Sequence, residues 1–307
     1  MTQPRRIIPG MTVMVTRRTL RRTHLLRPDR ELNNLFIYCL AFCAKRHGVL
    51  IHAAVVMSTH EHLVLTDVRG ELPRFLQELH RLLALGIKVL RKWEGAVWDH
   101  EKTSIVELRT PQAVLEKMAY VIANPVAAGL VRRAHHWTGL TTRAEQLGEA
   151  SWTATRPDVY FDKENSGWPK AATLQLALPP VNMNINQVRL VVAAELARAE
   201  DAARALVHAK GWRFLGHDRL RRLSPYDRAK SWEPLRGRNP AFAVGRGQAQ
   251  AFFAAVSVLR AFRAAHRAAL ELWRTGIRDA IFPAGTWLMR WGHRAKVEPL
   301  QNSLAVC

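Results

Sequence analysis

The stretch Val49-Leu-Ile-His-Ala-Ala-Val-Val-Met-Ser-Thr-His-Glu-His-Leu-Val-Leu-Thr66 decides the fold. Residues 49–57 form a strongly apolar, β-branched run, Ser58-Thr59 supplies a tight turn, and residues 60–66 return as a partner strand. Working outward, residues 11–17 alternate and follow the Pro9-Gly10 turn signal, which predicts another strand. Residues 29–46 place Leu32, Leu35, Phe36, Leu40 and Phe42 at near-helical spacing, with Gly48 as a C-terminal stop. Residues 72–93 repeat that pattern with Phe75, Leu76, Leu79, Leu82 and Leu83 on one face. Residues 103–108 read as a short strand, and Thr110-Pro111 starts a third helix that runs to Asn124-Pro125.

The order β-α-β-β-α-β-α predicts an α+β fold: a ferredoxin-like antiparallel sheet with helices on one face. Residues 150–185, with Pro157, Gly167, Pro169, Pro179 and Pro180, read as a linker. Beyond it, 186–210 and 246–275 are Ala- and Arg-rich helical patterns, so 186–307 reads as a basic, mainly helical C-terminal domain after a first domain of 1–149. A fold of this plan hosts many functions, so chemistry must be read from particular residues.

The chain of 307 residues has 46 Lys+Arg against 25 Asp+Glu, a formal net charge of +21. The charge is uneven: +8 over 1–50, +1 over 51–200 and +12 over 201–307. Such a field attracts polyanions and makes nucleic acid the first partner to consider. The three cysteines, Cys39, Cys43 and Cys307, give neither a disulfide framework nor zinc-ligand spacing. No signal peptide and no apolar run of membrane-spanning length is evident, so a cytoplasmic, nucleoid-associated bacterial protein with no membrane partner is expected.

His60 and His62 stand two apart on a strand and share a face, where two imidazoles can hold one divalent cation. A pair of surface histidines on an edge strand has the same spacing. Tyr120 and Asn124 are four apart on the third helix and share its face, yet a tyrosine there also serves as a half-buried packing residue.

Taken together these segments resemble a known family. Pro9-Gly10 precedes a strand ending in Thr16-Arg17; Met57-Ser-Thr-His-Glu-His-Leu63 resembles a Met-x-x-His-x-His-Leu segment. Tyr120-Val-Ile-Ala-Asn-Pro-Val-Ala-Ala-Gly-Leu-Val131 resembles a tyrosine helix and its exit. These are features of the single-tyrosine HUH transposases, above all the branch associated with repetitive extragenic palindromes, over residues 5–145. The resemblance implies that His60, His62 and Asn124 hold Mg²⁺ or Mn²⁺ against a scissile phosphate. It implies Tyr120 as the nucleophile, a 5′-phosphotyrosine intermediate and rejoining without ATP. The partner implied is single-stranded DNA, hairpin or palindromic, taken by a monomer or homodimer. Arg5, Arg6, Arg17, Arg18, Arg21 and Arg22 cluster around the first strand and would contact phosphates. Trp93 and Trp98 could stack bases, although Trp98 in Ala96-Val97-Trp98 also reads as a core residue, and Glu107 on the fourth strand could approach the site.

One residue departs from the pattern. Glu61 stands where the family has a hydrophobic residue; on a strand it points to the opposite face, which is expected to be solvated. The alternative function is a DNA-binding regulator that keeps the fold without cleavage, which Glu61 alone favours. A metal-dependent hydrolase without a tyrosine intermediate is a third reading.

Overall fold

The computed structural model describes residues 3–101, 103–230 and 239–300. Its elements run β1 (Met11–Arg18), α1 (Arg30–His47), β2 (Val49–Val56), β3 (His60–Asp67), α2 (Leu72–Arg91), β4 (Ser104–Leu108) and α3 (Pro111–Ala127). There follow β5 (Ser151–Thr155), β6 (Ala171–Gln175), α4 (Ile185–Ala209), α5 (His217–Arg222), β7 (Phe242–Ala243), α6 (Ala249–Arg274) and α7 (Trp287–His293). Cys307 lies outside the described residues; Cys39 and Cys43 are buried free thiols on α1 whose pKa values burial pushes up, so they are inert.

Local chemistry sets the boundaries. The Asp29 side chain accepts from Leu32 N at 2.9 Å to start α1, and Gly48, left-handed at φ 66°, ends it and turns the chain into β2. The Asp67 carboxylate at the end of β3 accepts from Glu71 N at 2.9 Å and Leu72 N at 2.8 Å, so the strand's last residue caps α2. Thr110 accepts from Ala113 N at 3.2 Å ahead of Pro111, opening α3 as its sequence predicts.

The main sheet has the order β2-β3-β1-β4-β7 and is antiparallel from β2 to β4; β7 adds a parallel edge of two residues to β4. Val13 and Val15 of β1, Ile51 and Val56 of β2, and Leu63 and Leu65 of β3 bury against α1 and α2. Met14, Val55, Val64, Val106 and Leu108 bury on the other side against Met118, Val121 and Ile122 of α3. Helices therefore cover both faces, and the expectation of one helical face is corrected. The reason lies in β2 and β3: seven of eight residues in each are buried, a two-sided apolarity that water on either face would not allow.

The linker expectation for 150–185 is also corrected. β5 and β6 pair antiparallel and lie on α1. There Tyr38 meets Phe161 and Phe42 meets Trp168, each at 5.1 Å between centroids, and Tyr38 Oη donates to the Pro169 carbonyl at 2.8 Å. Val188 and Val192 of α4 are wholly buried in the α3 layer, so the helical C-terminal half begins inside the same core. The segment 282–287 packs by Gly285 O accepting from Ile7 N at 3.0 Å, beside the start of β1. That is the end of the strand remote from the histidines.

Candidate active site

The antiparallel register places Thr16 opposite His62 and Arg18 opposite His60. Opposed residues point to one face, so Thr16, Arg18, His60 and His62 all face α3. The two imidazoles stand edge to face with centroids 4.7 Å apart. His60 Nδ1 is 3.0 Å from Thr59 Oγ1, and His62 Nδ1 is 2.7 Å from Thr16 Oγ1. His62 Nε2 is 3.1 Å from Asn124 Nδ2 on α3. These partners assign the tautomer: Nδ1–H donates to Thr16, and the Nε2 lone pair faces Asn124. Burial, then the positive surroundings of His60, Arg18 and Lys117, pushes the His62 pKa well below 6.5, which keeps the ring neutral at neutral pH.

Helical spacing does the rest. Tyr120 lies one turn before Asn124, its ring edge-on to His62 at 5.6 Å, while Asn124 is 7% exposed and Tyr120 43% exposed. One helix thus presents a buried amide and a solvent-reaching phenol to the same imidazole. Lys117, one turn earlier, sets its ammonium 5.2 Å from the Tyr120 ring centroid. The exit of α3 is fixed by Gly129, left-handed at φ 69°, whose carbonyl accepts from Leu215 N at 2.9 Å.

The four residues singled out in the sequence, His60, His62, Tyr120 and Asn124, are therefore together. The arginines divide. Arg18 flanks the histidines, whereas Arg17 faces the opposite side, where it donates to the Glu101 carbonyl and lies near Glu61 and Asp99. Arg21 and Arg22 form a left-handed turn after β1, at φ 51° and 57°. Arg5 donates to the Thr103 carbonyl at 3.1 Å, and the Arg6 stem lies against Gly285. Sequence reasoning missed Lys117 and the role of Thr16. The i−3 spacing of Lys117 from Tyr120 was the available signal; Thr16 needed the strand register.

Glu61 does not face solvent, a third correction. It is fully buried on the α1/α2 side, with Oε1 2.7 Å from His80 Nε2 of α2. A buried carboxylate requires such a partner. His80 also stands edge-on to Trp98 at 5.3 Å, and its carbonyl accepts from Trp98 Nε1 at 2.7 Å, so Trp98 is a packing residue. Trp93 stacks on Tyr226. Glu107 pairs with Arg109 and is in register with Val13, on the face away from His62, so it does not reach the site.

No cluster of three His, Cys, Asp or Glu side chains forms among the described residues. A divalent ion would have only His60, His62 and the Asn124 amide. Asn124 brings its side-chain amide within 3.1 Å of His62 Nε2, so its oxygen, if turned inward, could join the two imidazoles in holding one ion. The donor set fits such an ion, but it carries no negative charge, and Arg18 and Lys117 are nearby. An anionic phosphate would complete it.

No protein-family model and no curated protein matches the sequence. Solved structures do. A REP-associated tyrosine transposase bound to a REP hairpin aligns at TM-score 0.38 and 20% identity, over 45% of this chain and 80% of that one. A protein from Deinococcus radiodurans R1 described as a transposase aligns at TM-score 0.28 and 20% identity, over 34% and 85%. Both neighbours are transposases by description. Likeness at this level speaks to neither chemistry nor partner. Among the described residues, no helix is long and apolar enough to cross a membrane.

Proposed function

We propose that this chain cleaves and rejoins single-stranded DNA through a tyrosine–phosphate intermediate, as a transposase or a derivative of one. The observation that carries the reading is the pairing of Tyr120 and Asn124 on one face of α3 against His62, with the Tyr120 ring open to solvent. The strand order β4-β1-β3-β2, with α1 and α2 on one face, supports reading the sheet as a split βαβ, ferredoxin-like plan to which α3 and β7 are additions.

His60, His62 and Asn124 would hold Mg²⁺ or Mn²⁺, which would polarise a phosphoryl oxygen and offset charge that develops during attack. Tyr120 Oη forms the bond to phosphorus, and the bond to the 3′ oxygen breaks. The phenolic proton leaves to solvent, and the departing 3′ oxygen takes one up. The result is a 5′-phosphotyrosine and a free 3′-hydroxyl, and attack by a second 3′-hydroxyl reverses the step without ATP. Arg18 and Lys117 stand where they would neutralise a phosphate, and neutral His62 keeps a lone pair available. Thr16 fixes its tautomer, as outer partners of metal-binding histidines do.

The regulator reading rested on Glu61. Because that carboxylate is buried and paired with His80 on the other face, it is no reason to deny cleavage. Hairpin oligonucleotides are the first substrates to try, as one neighbour is described with such a ligand. End-labelled single-stranded hairpins incubated with the protein and Mg²⁺ or Mn²⁺ should yield a labelled band at protein mass on a denaturing gel. Binding without any such band would sink the reading.

A further inference from the structure

The helix α6 is mostly surface. Of its 26 residues only Ala255, Phe262 and Ala269 are buried, seven apart, on a narrow stripe facing the body of the protein. Its arginines take another face. At 3.6 residues per turn Arg260, Arg263, Arg267 and Arg274 fall within an arc of about 60°, spread along about 21 Å of helix. Arg260, Arg267 and Arg274 are exposed and Arg263 is half-buried. None of Arg260, Arg263 and Arg267 has an ion-pair partner among the described residues, and Glu271 is the one acidic residue on the helix. No aromatic side chain stands in the arc between Arg260 and Arg274; Phe262 is buried and Trp273 lies on the inner side.

We infer that this face of α6 binds the phosphate backbone of double-stranded DNA, such as the stem of a hairpin, without reading sequence. The guanidinium groups of Arg260, Arg263 and Arg267, without ion-pair partners among the described residues, call for a polyanion, and a duplex presents about one charge per 1.7 Å of axis. A single-strand surface would need stacking platforms, which the arc lacks. The helix is also fixed relative to Tyr120. Just before α6, Arg246 Nε meets Glu116 Oε1 of α3 at 3.2 Å, and Gln248 Nε2 donates to Gln112 Oε1 at 3.0 Å. Glu116 lies one turn before Tyr120, about 6 Å along the helix. A stem on α6 would therefore be held in a set relation to the tyrosine.

The inference rests on DNA being the partner proposed above, but not on cleavage, so its test uses neither the tyrosine nor a metal. Binding of a fluorescent duplex of about 20 base pairs would be measured in the Tyr120→Phe chain, without divalent ions, across 50–200 mM salt. Arg260→Gln with Arg267→Gln should make the log–log salt slope shallower by about 1.8 and weaken binding about tenfold at the low end. Arg260→Lys with Arg267→Lys should keep the slope. Lys45→Gln with Lys170→Gln, exposed residues of another surface, removes the same charge and should also keep it. An unchanged slope in the glutamine pair, an equal loss in the Lys45/Lys170 pair, or a loss confined to oligo-dT would overturn the inference. A changed slope here, with no adduct from the parent chain and metal in the separate gel assay, would leave α6 standing and remove the tyrosine reaction.

Discussion

Removing His80 should strand a charge in the protein interior. Glu61 is fully buried, its Oε1 bonded to His80 Nε2 at 2.7 Å, and its Oε2 has no hydrogen-bond partner. The Arg17 guanidinium on the same face adds attraction but no bond. Breaking such a pair from one side costs about 3–5 kcal/mol, because the remaining ion keeps its desolvation penalty. We expect His80→Leu to lower unfolding free energy by about 3 kcal/mol. Glu61→Leu should cost about 1 kcal/mol, since the imidazole left behind still packs on Trp98. The double variant should lie within about 1 kcal/mol of the parent, as apolar replacement of a buried pair usually does. Urea unfolding of all four chains gives the cycle, with a coupling of about 3 kcal/mol expected between the sites. If the double variant falls as far as the two singles added together, the carboxylate does not depend on His80 and the reasoning fails.

Two further outcomes follow from single side chains. His52 is fully buried on β2 between the Ala177 carbonyl and Thr66 Oγ1, and burial lowers its pKa from 6.5 to about 4. The unfolded chain then takes up the proton more readily, so this contribution is complete above pH 6.5 and lost as pH falls towards 4. Between pH 7.5 and 4.5 the parent should lose about 2–3 kcal/mol more stability than His52→Gln, and parallel pH profiles would refute it. Thr16→Val keeps a β-branched residue in β1 but removes the partner of His62 Nδ1. Adduct formation should fall about 10–100-fold at near-parental melting temperature, and an undiminished rate would show that the imidazole needs no such support.

Much of this was legible in the chain because the signals were local. The apolar runs at β2 and β3, the capping residues Asp29 and Thr110 and the stop at Gly48 each act within a few residues. Tyr120 and Asn124 could be paired from helical spacing alone. The covering of the second sheet face was in principle readable from the two-sided apolarity of β2, but a preference for the simpler layer plan hid it. β5 and β6 were masked because each buries only one of its five residues and they are separated by a Pro- and Gly-bearing loop. Glu61 was misread because its partner stands 19 residues away on another element, and alternation gives a direction but not what lies there. The contact of Thr16 with His62 needed strand register, which only tertiary structure sets.

The central claim is that Tyr120 itself becomes esterified, and peptide mass spectrometry tests it most directly. After reaction with a hairpin oligonucleotide and Mn²⁺, nuclease trimming and proteolysis, the account predicts a nucleotide 5′-phosphate on the peptide containing Tyr120. The released strand should end in a free 3′-hydroxyl, and both products should vanish in Tyr120→Phe and His60→Ala. Metal-dependent cleavage that leaves every peptide unmodified and persists in Tyr120→Phe would contradict the account and identify a hydrolase that uses water.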